Sequence, residues 1–305
     1  MATLKGQNFR ISIWDATASK YKVIGMSTTA TVTLTNNTDD ASTKDDVGLA
    51  SKPITVSKAW SVSCDSLNVA DAAALLTAIK AMTPLTLMWD ETSTTDNQTR
   101  SKAAFARKGS AYMNDITFSW NNRENSTKSL QFTGTGPLET IGSSEANEVI
   151  ALGSYTKGQY VRLFLGSDNT ATPAKVIAAA RQLQLHVSLT MENATTKDTT
   201  GDWETQEPTG LSYDISTTAL VRSGDNITSS VAAQALADVE DIYEAGGGPV
   251  KFQIASVSGA NQRTKGTVIM SGSVVLTQLT INTPNRTDSD YTATLNGYGE
   301  FNVSA

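Results

Sequence analysis

The 305-residue sequence predicts a mainly β protein made of two tandem homologous β-sandwich or barrel domains. Each domain is expected to hold one α-helix and one long polar loop between strands. Three observations predict this architecture. The chain contains 43 Thr and 31 Ser, its apolar residues alternate with polar ones over short stretches, and motifs of the first half recur in order in the second. Thr favours strands, and both Ser and Thr lower helix content.

Alternation of apolar and polar residues predicts the strands. Phe9, Ile11 and Ile13 are separated by polar residues, the period-2 pattern of a half-buried strand. The same pattern predicts further strands over 30–35, 60–67, 85–90, 112–120 and 129–135. Each of these strands has an apolar and a polar side, as is common in antiparallel sheets with one solvated face.

One helix is predicted in each half. Asn68 can cap a helix over 69–82, which Pro84 prevents from continuing. The second helix is predicted over about 231–245, with Tyr243 on its apolar side, and three glycines after it can end it. Because both helices have an apolar side, each is expected to close one end of its domain.

A long polar segment lies between two predicted strands in each half, over 36–48 and 192–209. Loops of this length are uncommon in compact domains and are usually functional or disordered. A segment this hydrophilic can become ordered against a neighbouring subunit. The residues expected to make such contacts are Asn37, Asp39, Asp40, Lys44, Asp45, Asp46, Lys197, Asp198 and Trp203.

Recurring motifs predict an internal duplication. Lys5-Gly6-Gln7 recurs as Lys157-Gly158-Gln159, and Lys22-Val23-Ile24 recurs as Lys175-Val176-Ile177. Three further matches pair 32–35 with 187–190, 108–109 with 265–266, and 132–136 with 295–299. Their common order predicts a first copy over 1–138, a linker over 139–155 and a second copy over 156–305.

Charge and composition exclude several classes of function. The chain has 24 basic and 30 acidic residues, a net charge of −6, and no basic run longer than Arg107-Lys108. This argues against a protein that grips nucleic acid by its phosphates. No apolar run approaches the roughly 18–20 residues of a membrane span, and the first residues lack the apolar core of a signal peptide. We therefore expect no membrane association.

Catalytic and metal-binding motifs are also missing from the sequence. The single Cys64 excludes an internal disulfide, and the single His186 excludes paired-histidine metal motifs. Both are interpreted as structural residues, Cys64 as a small buried apolar side chain. The acidic residues of 39–46 do not have the spacing of a calcium-binding loop. The sequence thus predicts no enzyme, no catalytic residue, no metal and no cofactor.

The opening residues 1–9, the strand that follows and the Thr/Asp-rich loop resemble the major tail protein, or tail tube protein, of long-tailed bacteriophages. The strand over 60–67, the single helix and the Thr133-Gly134-Thr135-Gly136 segment extend this resemblance, once per copy. It implies a structural virion protein of the phage tail, made in the host cytoplasm. Usual members have one domain and form hexameric rings, so two fused copies imply trimeric rings with pseudo-sixfold symmetry.

Physical reasoning is consistent with this implication. Strand-rich domains with open sheet edges can close them by head-to-tail pairing around an axis, which leaves a channel inside a wide barrel. The polar sheet face would then line the channel, through Ser61, Ser63, Asp65, Asp115, Thr117, Ser119, Thr133 and Thr135. Such a surface gives DNA little to bind, so the genome would pass through as weakly interacting cargo during delivery.

The resemblance also implies partners. The chain itself is the first, since stacked rings form the tube, and the polar loops would make contacts between rings. Tape measure and terminator proteins of the tail are the others. Two alternative functions stay open from the sequence: the inner tube of a contractile injection or secretion system, and a duplicated β-sandwich that binds carbohydrate or a cell surface.

Overall fold

The computed structural model describes residues 6–46, 50–67, 71–92, 100–101, 105–141, 156–199, 201–221, 233–234, 236–258 and 264–304. The strands of the first half are β1 (Phe9–Asp15), β2 (Lys20–Val23), β3 (Ser27–Asp40), β4 (Pro53–Ser66), β5 (Leu85–Thr92), β6 (Arg100–Ser101), β7 (Arg107–Asn121) and β8 (Thr127–Thr140). Those of the second half are β9 (Val161–Leu165), β10 (Lys175–Ile177), β11 (Ala180–Asn193), β12 (Gln206–Leu220), β13 (Ala233–Gln234), β14 (Val250–Ser258), β15 (Thr264–Asn282) and β16 (Asp290–Val303).

The two helices of the described residues are α1 (Ala72–Lys80) and α2 (Leu236–Glu244), one in each half. The prediction of a mainly β fold with one helix in each half is therefore confirmed. Neither helix is long and apolar enough to cross a membrane.

All of these strands belong to one sheet of 16 strands. Its order in the first half is β2-β1-β5-β7-β8-β4-β3, and in the second half β10-β9-β14-β15-β16-β12-β11. Strand β11 pairs with β7 and so joins the halves into one continuous sheet. The neighbours are antiparallel except β10 and β13. The two halves therefore share their strand order, and hydrogen bonds connect them edge to edge.

Strand registers also coincide between the halves. Thr33 pairs with Ser61, and the residues at the corresponding places of β11 and β12, His186 and Asp214, pair in the same way. Irregularities repeat as well: the register of β7 with β8 shifts after Met113, and that of β15 with β16 shifts after Leu276, its counterpart. The offset between corresponding residues grows from 153 at β3 and β4 to 163 at β7 and β8, so the second half contains inserted residues. The pairing pattern of the strands is nevertheless the same in both halves.

Two of the sequence matches are wrong in detail. The strand registers align Val32 with Leu185 rather than with Val187. They likewise align Gly109 with Gly272 rather than with Gly266. Short motifs of Val, Thr, Lys and Gly recur by chance within one strand, whereas hydrogen-bond register fixes the alignment. The domain limits 1–138 and 156–305 stay a prediction, and most of the linker 139–155 lies outside the described residues.

An aromatic side chain lies over a glycine of the last strand in each half. The ring of Trp60 on β4 covers Gly134, where a Cβ atom would lie 2.2 Å from the ring. Tyr213 on β12 covers Gly297 in the same way, at 2.5 Å. Trp60 also packs against Trp89 of β5, with ring centroids 5.8 Å apart. The two tryptophans therefore pack together on one face of the sheet, where Trp60 reaches across Gly134 of β8 and Gly109 of β7 towards β5.

The helices are shorter than the sequence predicts. Helix α1 begins at Ala72 after Asp71, and the predicted cap Asn68 lies outside the described residues. Lys128, whose side chain is fully buried, donates to both carboxylate oxygens of Asp71 at 2.5 and 2.6 Å and so fixes the start of the helix. In α2 the expectation that Tyr243 packs into the core is wrong, because this side chain is 58% exposed.

We expect Gly134→Ala and Gly297→Ala each to lower the free energy of unfolding by about 1–3 kcal/mol, because the new methyl group would overlap a buried ring. Urea unfolding followed by tryptophan fluorescence measures this change. Gly6→Ala is the matched control, since nothing lies within 4 Å of a Cβ atom there. Equal stability of all three variants would contradict the role assigned to the glycines.

Candidate assembly surface

Polar residues of the three strands β4, β7 and β8 share one face of the sheet. Cross-strand pairing puts Ser61 beside Thr133, Ser63 beside Gln131, and Asp65 beside Ser129. Pairing of β7 with β8 adds Asp115, Thr117 and Ser119 to the same face, and also places Thr135 there, opposite Ser110. All eight residues predicted to line a channel therefore lie on one face, although their role in a channel stays a prediction.

The single histidine lies on this face, at the junction of the two halves. His186 Nε2 is 2.7 Å from Asp115 Oδ2 on β7, and its Nδ1 is 2.8 Å from Asp214 Oδ1 on β12. Partial burial lowers the pKa of His186, but the hydrogen bonds with Asp115 and Asp214 outweigh it and raise the pKa above its usual value. The protonated ring donates to both carboxylates and thus connects the two halves.

The sequence indicates a structural role for His186 but not its two partners. Asp115 and Asp214 are far apart in the sequence, and only the pairing of β11 with β7 brings them to one imidazole. Cys64 has the expected place: it is buried, and burial raises the pKa of its thiol.

The second polar segment docks onto the first half. Between β11 and β12, the backbone around Trp203 pairs with Lys58: Lys58 N donates to Asp202 O at 2.6 Å, and Glu204 N donates to Lys58 O at 2.9 Å. Gly136 N donates to Glu204 O at 2.9 Å. Segment 202–206 therefore lies across the ends of β4 and β8.

Side chains strengthen this docking. The Glu204 carboxylate accepts hydrogen bonds from Asn37 Nδ2 at 2.6 Å and from Ser57 Oγ at 2.7 Å. Lys58 forms an ion pair with Asp202 at 3.0 Å. Thr135, on the polar face, accepts from Gln206 N through its hydroxyl oxygen at 3.1 Å. The two halves are thus held together by hydrogen bonds at the sheet edge and across the polar segment.

The expectation of two long loops is partly wrong. Asn37, Asp39 and Asp40 lie in β3 and pair with β4, so the first segment is largely a two-stranded arm. Strand pairing continues there because backbone hydrogen bonds do not require an apolar face. Lys44, Asp45 and Asp46 lie beyond the end of β3, and Lys197 and Asp198 lie in the turn between β11 and β12. Contacts of these residues with another ring stay a prediction.

Residues 3–140 match the family model described as phage tail tube protein. The first half of the chain is therefore similar to the phage tail tube protein family, and this match supports a structural role as a tail tube component. No curated protein matches the chain.

Several solved structures resemble about half of the chain. One is a chain from the tail of an empty gene transfer agent particle, at 16% identity and a TM-score of 0.37, covering 49% of this chain and 99% of that one. Another comes from the virion of a native gene transfer agent, at 15% identity, a TM-score of 0.35 and the same coverage. A third is the SPP1 tail tube, at 17% identity and a TM-score of 0.35, covering 48% and 78%.

The histidine bridge should make stability depend on pH. Because the folded-state pKa of His186 is raised, its contribution is complete below the unfolded-state value of about 6.5 and is lost as pH rises through the folded-state value. We expect His186→Gln to lower the free energy of unfolding by about 1 kcal/mol near pH 5 and by less at pH 9. Urea unfolding across this pH range tests it.

Ser63→Ala is the control for the histidine variant, since it changes an exposed side chain on the same polar face without removing a charge. Its effect should not vary with pH. A His186→Gln deficit that is constant from pH 5 to pH 9 would contradict the charged bridge.

Proposed function

We propose that three copies of this chain close into a ring of six tail tube modules, and that such rings stack into the tail tube of a virion. The observation that carries this proposal is the antiparallel pairing of β11 with β7, which adds the second half to the first edge to edge. Repeating one edge-to-edge contact about an axis closes a ring when the rotation completes a circle. The equal registers of the halves support a duplicated module as the repeating unit.

The polar face supplies the inner wall in this proposal. Its hydroxyl groups give phosphate no cation to bind, the carboxylate of Asp65 repels it, and the protonated ring of His186 is already bonded to Asp115 and Asp214. DNA can therefore pass during genome delivery without being held. No catalytic role is part of the proposal, and further tail proteins such as a tape measure and a terminator would bind the ends of the tube. Synthesis in the host cytoplasm precedes assembly.

Purified protein should form rings or hollow filaments in negative-stain electron microscopy. Light scattering after size exclusion should give the smallest ring a mass three times the 32.3 kDa of one chain. A protein that stays monomeric at high concentration and is retained on a glycan column would contradict the proposal and favour a carbohydrate-binding function.

The exposed ends of the two polar segments are proposed to contact the next ring. Lys44 and Lys197 are exposed there, next to Asp45 and Asp198. The double variant K44E/K197E replaces an exposed lysine with an acidic group at each end, so facing rings should repel each other. We expect rings of normal size but tubes at least several times shorter, measured by electron microscopy, with partial recovery at high salt.

The matched control for this charge reversal is K20E/K251E, which makes the same charge change at exposed lysines of β2 and β14. Tubes of this variant should keep their normal length. Equal tube lengths for both double variants would contradict a role of the polar ends in stacking.

A further inference from the structure

We infer that the outer edge of β3 pairs with the C-terminal part of β15 in a second copy of the chain, antiparallel and in the register that β11 and β7 show within one chain. This inference rests on the proposed function, because it specifies the junction between the chains of the proposed ring.

The internal junction supplies the register. Strand β11 pairs with β7 from Gln182↔Asn121 to Ser188↔Asp115. The shared registers of the two halves make β3 the counterpart of β11, and β15 the counterpart of β7. Transfer of the register gives three pairs on the polar face: Thr31 with Asn282, Thr33 with Thr280, and Thr35 with Gln278.

Both edges are open in the single chain. Within the described residues, β3 pairs with β4 alone, and β15 beyond Val274 pairs with β16 alone. The corresponding edge of β7 is already occupied by β11. Each open edge presents backbone N–H and C=O groups that can form a new ladder. The donor edge of one chain therefore has one matching acceptor, on β15 of the next.

Apolar side chains at the two open edges are exposed, whereas their counterparts at the internal junction are buried. Leu34 on β3 is 63% exposed and Ile281 on β15 is 43% exposed. Their counterparts at the internal junction, Val187 and Phe118, are both 0% exposed. The single chain thus exposes, at its two open edges, positions that the internal junction buries. Large exposed apolar side chains at such matching sites indicate an interface.

A groove adjoins the acceptor edge. It has a volume of about 420 Å³ and lies between α2 and β15, lined by Tyr243, Leu279 and Ile281 among others. In the transferred register Leu34 of the second copy lies opposite Leu279, and Val32 lies opposite Ile281. Both side chains point to the apolar side of β3 and would fill the groove. The exposure of Tyr243 is explained if this groove receives another chain.

A second cleft supports the same junction. It has a volume of about 680 Å³ and is lined by Leu211, Tyr213 and Gly299 among others. The corresponding surface of the first half is the one that segment 202–206 covers. The alignment of β3 and β4 with β11 and β12 matches 203–205 to 50–52. In the inferred junction, segment 50–52 of the second copy therefore fills this cleft.

Disulfide cross-linking tests the register. Directly opposed residues of an antiparallel pair have Cα atoms about 4.5–5.5 Å apart, within the range of about 4.4–6.8 Å for a disulfide. We therefore expect T33C/T280C to form covalent dimers and trimers under mild oxidation of assembled protein, seen on non-reducing gels. The native Cys64 does not interfere, because it is buried.

The matched control is T35C/N282C, whose two residues lie on the same strands and face but four positions out of register, about 13 Å apart. We expect at least tenfold less covalent oligomer from it, and none from T33C or T280C alone. Circular dichroism establishes that each variant is folded.

The outcomes separate the junction from the proposed function. Tubes that form without the T33C/T280C cross-link, or with equal cross-linking of the control, overturn the register and leave the tube function standing. Cross-linked trimers without any tube support the junction and reject the stacked tube. Absence of both overturns both proposals.

Discussion

Backbone hydrogen bonding at strand edges is the constraint on which the rest of this structure depends. Within the described residues the 16 strands form a sheet that does not close on itself, and such a sheet leaves edge strands with unpaired N–H and C=O groups. The chain satisfies one such edge internally, by pairing β11 with β7, and this pairing brings His186 to Asp115 and segment 202–206 to β4. The charged bridge and the docked segment are consequences of that edge pairing rather than independent contacts.

The two halves preserve geometry more strictly than residue identity. Trp60 and Tyr213 are different side chains, yet each lies over a glycine of the last strand of its half. Trp60 donates its indole N–H to Gly136 O at 3.1 Å, whereas Tyr213 donates its hydroxyl to Ser273 O at 2.6 Å. A large ring over glycine fills the volume that packing requires, and either donor satisfies its own polar group. The two halves therefore have in common the volume that a ring fills over the glycine and the register of their strands.

Sequence patterns predict the parts of the fold that depend on local periodicity. Alternation in 112–120 predicts the apolar and polar sides of β7, and the register shows that the polar residues of β4, β7 and β8 share one face. The polar ends of β3 and β4 are missed because both faces there are solvated, so no alternation exists. The histidine bridge is missed because Asp115 and Asp214 come together only through long-range pairing.

The difference in chemistry between the internal junction and the proposed external one follows from how each is formed. His186, Asp115 and Asp214 correspond by register to Thr33, Gln278 and Ser61, so the external junction has uncharged groups where the internal one has a charged bridge. The internal partners belong to one chain and meet at a high effective concentration. A free β3 edge that reached β7 instead would set Thr33 beside Asp115 and remove the cation from that carboxylate. The charged bridge therefore favours β11 over β3 at β7, and leaves the uncharged edge of β15 for the next chain.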